Sequence, residues 1–284
     1  MIIWLASYPK SGNTWLRAFI SSLIFDTNKE NSLENLKKIR GYPLTSDFYN
    51  LLDSFDDFKK IAENWKISQE FMNLQKGTKI IKTHHAFCQI DNHNFTNYIN
   101  SLGVIYIVRD PRNIITSFIN HYSSVNNYND ALKFILDKNR FLGKFGKKEN
   151  FKNIIEFPAF ISSWGGHYKS WKYFKKNYLL IKYEELIDEP EKIFLKIAKY
   201  LGELLEINID KEKVDNAILK SSFSNLQQNE KKFGFSEATQ KTIVQKKRFF
   251  NLGPENNWQK LLPKKIRNEI EKNFKEEMIE LGYL

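Results

Sequence analysis

Residues Ser7-Tyr8-Pro9-Lys10-Ser11-Gly12-Asn13-Thr14-Trp15, near the start of the chain, place a lysine, a glycine and the hydroxyls of Ser11 and Thr14 in one short turn. The apolar run Ile2 to Ala6 before them reads as a buried strand, and Thr14 to Phe25 after them as a helix. A strand that turns through glycine into a helix start presents unpaired amides at the positive end of the helix dipole. That is a site for an anion. Lys10 adds a full charge, and the Ser11 and Thr14 hydroxyls add donors. The turn is not a G-x-x-x-x-G-K-[ST] loop, because its lysine precedes the glycine. It also carries more polar groups than helix capping alone needs.

Two further groups stand at the ends of other predicted strands. Val104 to Val108 leads into Arg109-Asp110-Pro111-Arg112-Asn113 and a helix, Arg112 to Tyr122, that holds Ser117. An arginine fork matches the geometry of a phosphate, and the helix start favours an anion. Read alone, the same residues also fit an ordinary salt bridge and turn. The run Lys79 to Lys82 ends in Lys82-Thr83-His84-His85. Imidazole titrates near neutrality and can take a proton during attack. The C-terminal ends of parallel strands are where open α/β sheets place their ligands.

These three groups together resemble the family of sulfotransferases that use 3′-phosphoadenosine 5′-phosphosulfate (PAPS). The first turn is similar to the family's phosphosulfate loop, YPKSGTTW, with Asn13 in place of one threonine. The resemblance implies that Lys10, Ser11, Gly12, Asn13 and Thr14 hold the 5′-phosphosulfate and that Trp15 packs beside the adenine. It further implies that Arg109 and Ser117 grip the 3′-phosphate. Lys82-Thr83-His84 is similar to the family's Lys-Thr-His, which makes His84 the catalytic base, with His85 as the fallback. Leu180 to Leu186 resembles a segment whose tyrosine, here Tyr183, lies near the adenine. Ser221-Ser222-Phe223 resembles one whose phenylalanine, here Phe223, stacks on the base. Ser163-Trp164 through Trp171 resembles a helical stretch whose tryptophans read as core. The family closes over the nucleotide with R-K-G-x-x-G-x-W. Here Gly253 and Trp258 fit that pattern, while Asn251 and Leu252 replace the Arg-Lys pair. Arg248, in the basic run Lys246-Lys247-Arg248 just upstream, is the residue that could substitute.

Sulfuryl transfer is close kin to phosphoryl transfer, so positioning and charge stabilisation dominate it. Lys10 and Lys82 can neutralise the leaving 5′-phosphate, which removes the need for a metal. The expected catalytic set is therefore His84, Lys10 and Lys82, with PAPS as co-substrate, PAP as product and no metal.

The elements that must position these groups are legible as alternation. Buried apolar runs at Ile2 to Ala6, Lys79 to Lys82, Val104 to Val108 and Leu179 to Ile181 alternate with helical patterns, among them Pro190 to Leu201 and Pro263 to Leu281. The fold class expected is α/β: one domain over 1–284, a three-layer sandwich with a central parallel sheet and a P-loop-like turn. Two irregular stretches, 123–160 and 227–257, read as acceptor-facing or lid loops. The chain has 284 residues and a formal charge of +11 from 44 Lys and Arg against 33 Asp and Glu, which suits anionic partners. Cys88 is its single cysteine, so an intrachain disulfide is excluded. With no basic leader, and no stretch of membrane-spanning length, a cytoplasmic location is expected.

Two rivals remain open. A nucleotide kinase of the P-loop type requires Mg²⁺ and a lysine directly after the loop glycine. A non-catalytic nucleotide- or nucleic-acid-binding protein would use the positive charge, but the lysines are scattered and form no basic stripe, so no nucleic-acid partner is expected. The acceptor is a small molecule or a glycan. Tyr128, Phe134, Phe141, Phe145 and Phe151 suit an aromatic, lipid or sugar face, whereas Lys138, Arg140, Lys144, Lys147 and Lys148 suit an acidic glycan. The sequence leaves the oligomeric state open.

Overall fold

The computed structural model describes residues 1–25, 31–122, 124–147, 157–237 and 248–284. They form two compact units. The first comprises Met1–Tyr8, Arg40–Tyr106 and Asp137–Leu180; the second comprises Pro9–Ile39, Ile107–Leu136 and Ile181–Leu284. The chain passes repeatedly from one to the other, twice within a strand, so no linker marks the boundary.

The first unit contains the sheet. All four expected strands are present, at Ile2–Ser7, Lys79–Thr83, Ser101–Val108 and Tyr178–Lys182. The last residues of the latter two run on into the second unit. Their spatial order is Tyr178–Lys182, Ser101–Val108, Ile2–Ser7, Lys79–Thr83. Ser101–Val108 lies beside Ile2–Ser7 although Lys79–Thr83 comes between them in the chain, so a crossover is required, as the α/β class expects. The pair Ile2–Ser7 and Lys79–Thr83 is parallel, with Ala6 opposite Thr83. Every residue of Ile2–Ser7 is buried, which explains its unbroken apolar run. Helices Phe58–Glu63, Trp65–Leu74 and Trp164–Trp171 belong to this unit. Trp164 and Trp171 are core residues, as expected.

The second unit is helical. The first helix, Asn13–Phe25, follows the glycine turn. Asp110 caps the helix Pro111–His121 by accepting from the Arg112 amide at 2.9 Å. Ala18, Leu33, Leu36, Leu226 and Phe250 form a core cluster on which Trp15, Phe223, Phe235 and Phe249 pack.

Three expectations need correction. The stretch 123–160 contains a helix, Tyr128–Leu136, which buries Ala131, Phe134 and Ile135. It starts where the Asn127 side chain accepts from the Asn129 and Asp130 amides at 2.9 and 3.0 Å. Helix Phe223–Phe233 likewise runs through the start of the second stretch and stops at Gly234, whose φ is +74°. Phe151 and Lys148, and the basic pair Lys246-Lys247, lie outside the described residues. The C-terminal helix is two pieces, Lys264–Asn273 and Lys275–Glu280, joined at Phe274. Among the described residues no helix is long and apolar enough to cross a membrane.

Candidate active site

In the second unit, the turn after the first strand has the geometry of an anion cradle. Lys10 has a left-handed backbone, φ +66°, and Gly12 has φ +97°. A methyl group on Gly12 would stand 2.3 Å from the Tyr183 ring. Only glycine allows this approach. The Ser11 hydroxyl is fully buried and has no hydrogen-bond partner among the described residues. A buried, unsatisfied hydroxyl in a helix-start turn fits a bound phosphate or sulfate oxygen. Asn13 is buried, while Thr14 and Trp15 are half-buried at the start of the helix.

Arg109 joins the same cradle. Its guanidinium donates to the Lys10 carbonyl at 3.1 Å and lies over the Tyr183 ring at 4.1 Å. Tyr183 packs edge-on against Trp15, with ring centroids 5.8 Å apart. Lys10, Gly12, Trp15, Arg109 and Tyr183, read from three separate segments, are thus brought together. The salt bridge that the sequence left as an alternative for Arg109 exists, but its arginine is Arg112. Arg112 pairs with Asp110 at 2.7 Å and Glu271 at 2.7 Å, and donates to the Tyr283 carbonyl at 2.8 Å.

The closing segment lies in the second unit as well. Gly253 has φ +50°, and a methyl group there would meet Phe223 at 2.5 Å, so these two expected residues are adjacent. Three residues unread in the sequence tie the segment down. Thr116 donates to the Asn256 side chain at 2.7 Å, Asn256 donates to the Asn113 carbonyl at 2.9 Å, and the Asn113 side chain accepts from the Trp258 amide at 3.0 Å. The helix that holds Asn113 and Thr116 also carries the half-buried Ser117. Isolated Asn and Thr side chains gave no signal of this kind. The ammonium of Lys10 lies 4.5 Å over the Phe249 ring. Arg248, one residue earlier, is exposed.

The first unit carries the histidines. Lys82 is half-buried on its strand, and its backbone pairs with Arg40 and Tyr42. His84 Nδ1 lies 2.8 Å from the Ser7 carbonyl. A carbonyl can only accept, so Nδ1 carries the proton and Nε2 holds the lone pair. His85 also bonds a carbonyl through Nδ1, but its surroundings differ. It is fully buried, stacked on Phe95 at 4.2 Å, and donates to the Ala86 carbonyl at 2.7 Å. Burial pushes its pKa down to about 3. A sealed ring cannot meet an acceptor, which removes His85 as the fallback base.

His167 is also fully buried, and burial pushes its pKa down to about 3. Both rings are neutral in the folded protein, whereas in the unfolded chain they protonate below about pH 6.5. The unfolded state then binds more protons, so their contribution to stability is full above pH 6.5 and is lost as pH falls towards 3. Between pH 7 and 5.5 the loss for the pair is about 2.5 kcal/mol, or about 4 °C in Tm for a chain of this size. Thermal melts across this range check it. His85→Phe should remove about half of the slope; an unchanged slope would mean that His85 is solvated.

The turn and the arginine of the second unit have a geometry that suits an anionic group, and the first unit separately carries an oriented imidazole. A family model described as the sulfotransferase domain matches residues 2–282, and the chain belongs to the sulfotransferase family. It is similar to sulfotransferase 2A1 of Macaca fascicularis, at 23% identity over 279 residues, covering 98% of this chain and 84% of the relative. It is similar too to flavonol 4′-sulfotransferase of Flaveria chlorifolia, at 25% identity, covering 99% and 80%. In fold it resembles retinol dehydratase solved with retinol and PAP (TM-score 0.60, 15% identity, covering 98% and 81%). It also resembles mouse sulfotransferase SULT7A1 solved with PAP (TM-score 0.57, 21% identity, covering 98% and 84%).

Proposed function

We propose that this protein moves the sulfuryl group of PAPS onto a hydroxyl or amine, with His84 as the general base. The observation that carries the reading is the hydrogen bond from His84 Nδ1 to the Ser7 carbonyl, which leaves Nε2 as the basic nitrogen. In the step, the acceptor oxygen or nitrogen gives its proton to Nε2 and forms a bond to sulfur. The bond from sulfur to the 5′-phosphate oxygen breaks, and PAP leaves. Lys10 and Lys82 offset the charge that builds on that phosphate. The buried Ser11 hydroxyl and the close approach at Gly12 support the loop's role in holding the 5′-phosphosulfate. Trp15, Tyr183 and Phe223 supply aromatic surface for the adenine, and Gly253 closes against Phe223.

Arg109, with Ser117, reads the 3′-phosphate in this account, and the exposed Arg248 adds a weaker contact in place of the missing Arg-Lys pair. A charged hydrogen bond to phosphate contributes about 1.5–3 kcal/mol, so Arg109→Ala should weaken PAP binding about tenfold or more. Adenosine 5′-phosphosulfate, which lacks the 3′-phosphate, should hardly be affected. Calorimetric titration of both ligands checks this. Equal weakening of the two would mean that Arg109 supports the turn and does not read the phosphate.

A small apolar acceptor is favoured over an acidic glycan. In the first unit, Phe141 packs against Phe58, Phe145 and Phe160 with centroids 4.7, 5.1 and 5.2 Å apart, and Phe145 is 41% exposed. Relatives are named for flavonols and a 3-β-hydroxysteroid. The reading takes 1–284 as one functional domain and places it in the cytoplasm, in keeping with a relative named as a cytosolic sulfotransferase.

A further inference from the structure

We propose that His167 is a positioning residue for the catalytic base: it holds the backbone of His84 through a buried relay that begins at Tyr106. The inference rests on the reading of His84 as base. His167 Nε2 lies 3.0 Å from the His84 carbonyl, and Nδ1 lies 2.8 Å from the Tyr106 hydroxyl. The carbonyl only accepts, so Nε2 carries the proton and Nδ1 must accept from Tyr106. Burial raises the pKa of Tyr106 well above its ordinary value, so its hydroxyl remains a donor. The Tyr8 ring meets His167 edge-on at 5.6 Å and restricts its tilt.

The helix Trp164–Trp171 makes this a clamp and not a single contact. Residues four apart lie on one helix face, and here His167 and Trp171 grip consecutive carbonyls. Trp171 Nε1 donates to the His85 carbonyl at 2.9 Å. Between them, Ser170 accepts from the Phe87 amide at 3.1 Å. The backbone from His84 to Phe87 is therefore fixed at three points, while the His84 ring is fixed separately by the Ser7 carbonyl. Ring and backbone held from opposite neighbours give Nε2 one direction, and a displacement of about 1 Å can cost a hundredfold in rate.

The test compares wild type, His167→Phe, His84→Ala and the double variant by steady-state kinetics with PAPS and a phenolic acceptor. His167→Phe keeps an aromatic ring but removes the donor, and should lower kcat by about a hundredfold while KM changes by less than about threefold. In the His84→Ala background the same change should cost almost nothing, because the group it positions is gone. His167→Gln, whose amide can still donate to the His84 carbonyl, should recover most of the rate, and it serves as the second variant if His167→Phe does not fold. An equal loss from His167→Phe in both backgrounds, or no recovery with Gln, would show a structural role and overturn the proposal. Undiminished turnover in His84→Ala would instead overturn the base assignment beneath it.

Discussion

Replacing His84 with alanine is expected to lower turnover by about a hundred- to ten-thousand-fold, the usual cost of losing a positioned general base. PAP binding should be almost unchanged, because the phosphate-side residues lie on other segments: the turn at Lys10, the strand end at Arg109 and the segment at Tyr183. The expectation comes from the tautomer. His84 donates from Nδ1 to the Ser7 carbonyl at 2.8 Å, so the nitrogen left to take a proton is Nε2. His85→Ala is the informative partner. His85 is sealed in an aromatic cluster with Phe95 and Trp65, so its loss should appear as a lower melting temperature with kcat retained. If His84→Ala turned over normally and His85→Ala did not, the base would be one residue further along.

The second large effect is expected at Gly12. A β-carbon there would stand 2.3 and 2.8 Å from two atoms of the Tyr183 ring and 3.2 Å from Ile107. Tyr183 has little room to retreat, since its ring lies under the Arg109 guanidinium. The backbone is also left-handed at this position, with φ +97°. Left-handed strain of about 1–2 kcal/mol adds to overpacking of about 1–3 kcal/mol. Gly12→Ala should therefore disturb the turn, Tyr183 and Arg109 together and weaken PAP binding by about a hundredfold. Calorimetry with PAP, accompanied by a thermal melt to confirm folding, decides the matter. Wild-type affinity would show that the turn has space that the present geometry denies it.

The site was more legible in the sequence than the way the chain divides. The four strands announced themselves as short apolar runs, most clearly Ile2–Ser7 and Ser101–Val108, which are buried almost throughout and have no polar alternation to disguise them. The turn at Lys10 to Thr14 was legible because a strand that turns into a helix through a left-handed backbone favours glycine at that point. The two units were not, since two of the boundaries between them fall inside strands, where composition does not change. Helix Tyr128–Leu136 was missed because it buries only three apolar residues and opens with polar ones. Helix Phe223–Phe233 was missed because its second half is almost wholly polar and the whole helix buries just Leu226 and Asn229. His167 was passed over for a related reason: between two core tryptophans a histidine looks like packing. Its partners, the Tyr106 hydroxyl and the His84 carbonyl, lie 61 and 83 residues away in the chain. Asn113 and Asn256 are alike in this, with a pairing that only the folded backbone reveals.

The central claim is that this chain is built for a 3′-phosphoadenosine nucleotide and needs no metal to hold it. Titrating PAP and ATP into the wild-type protein in the presence of a chelator tests this most directly. PAP should bind at least tenfold more tightly than ATP, with no change when Mg²⁺ is restored. Preference for ATP, or PAP binding that appears only with Mg²⁺, would contradict the account.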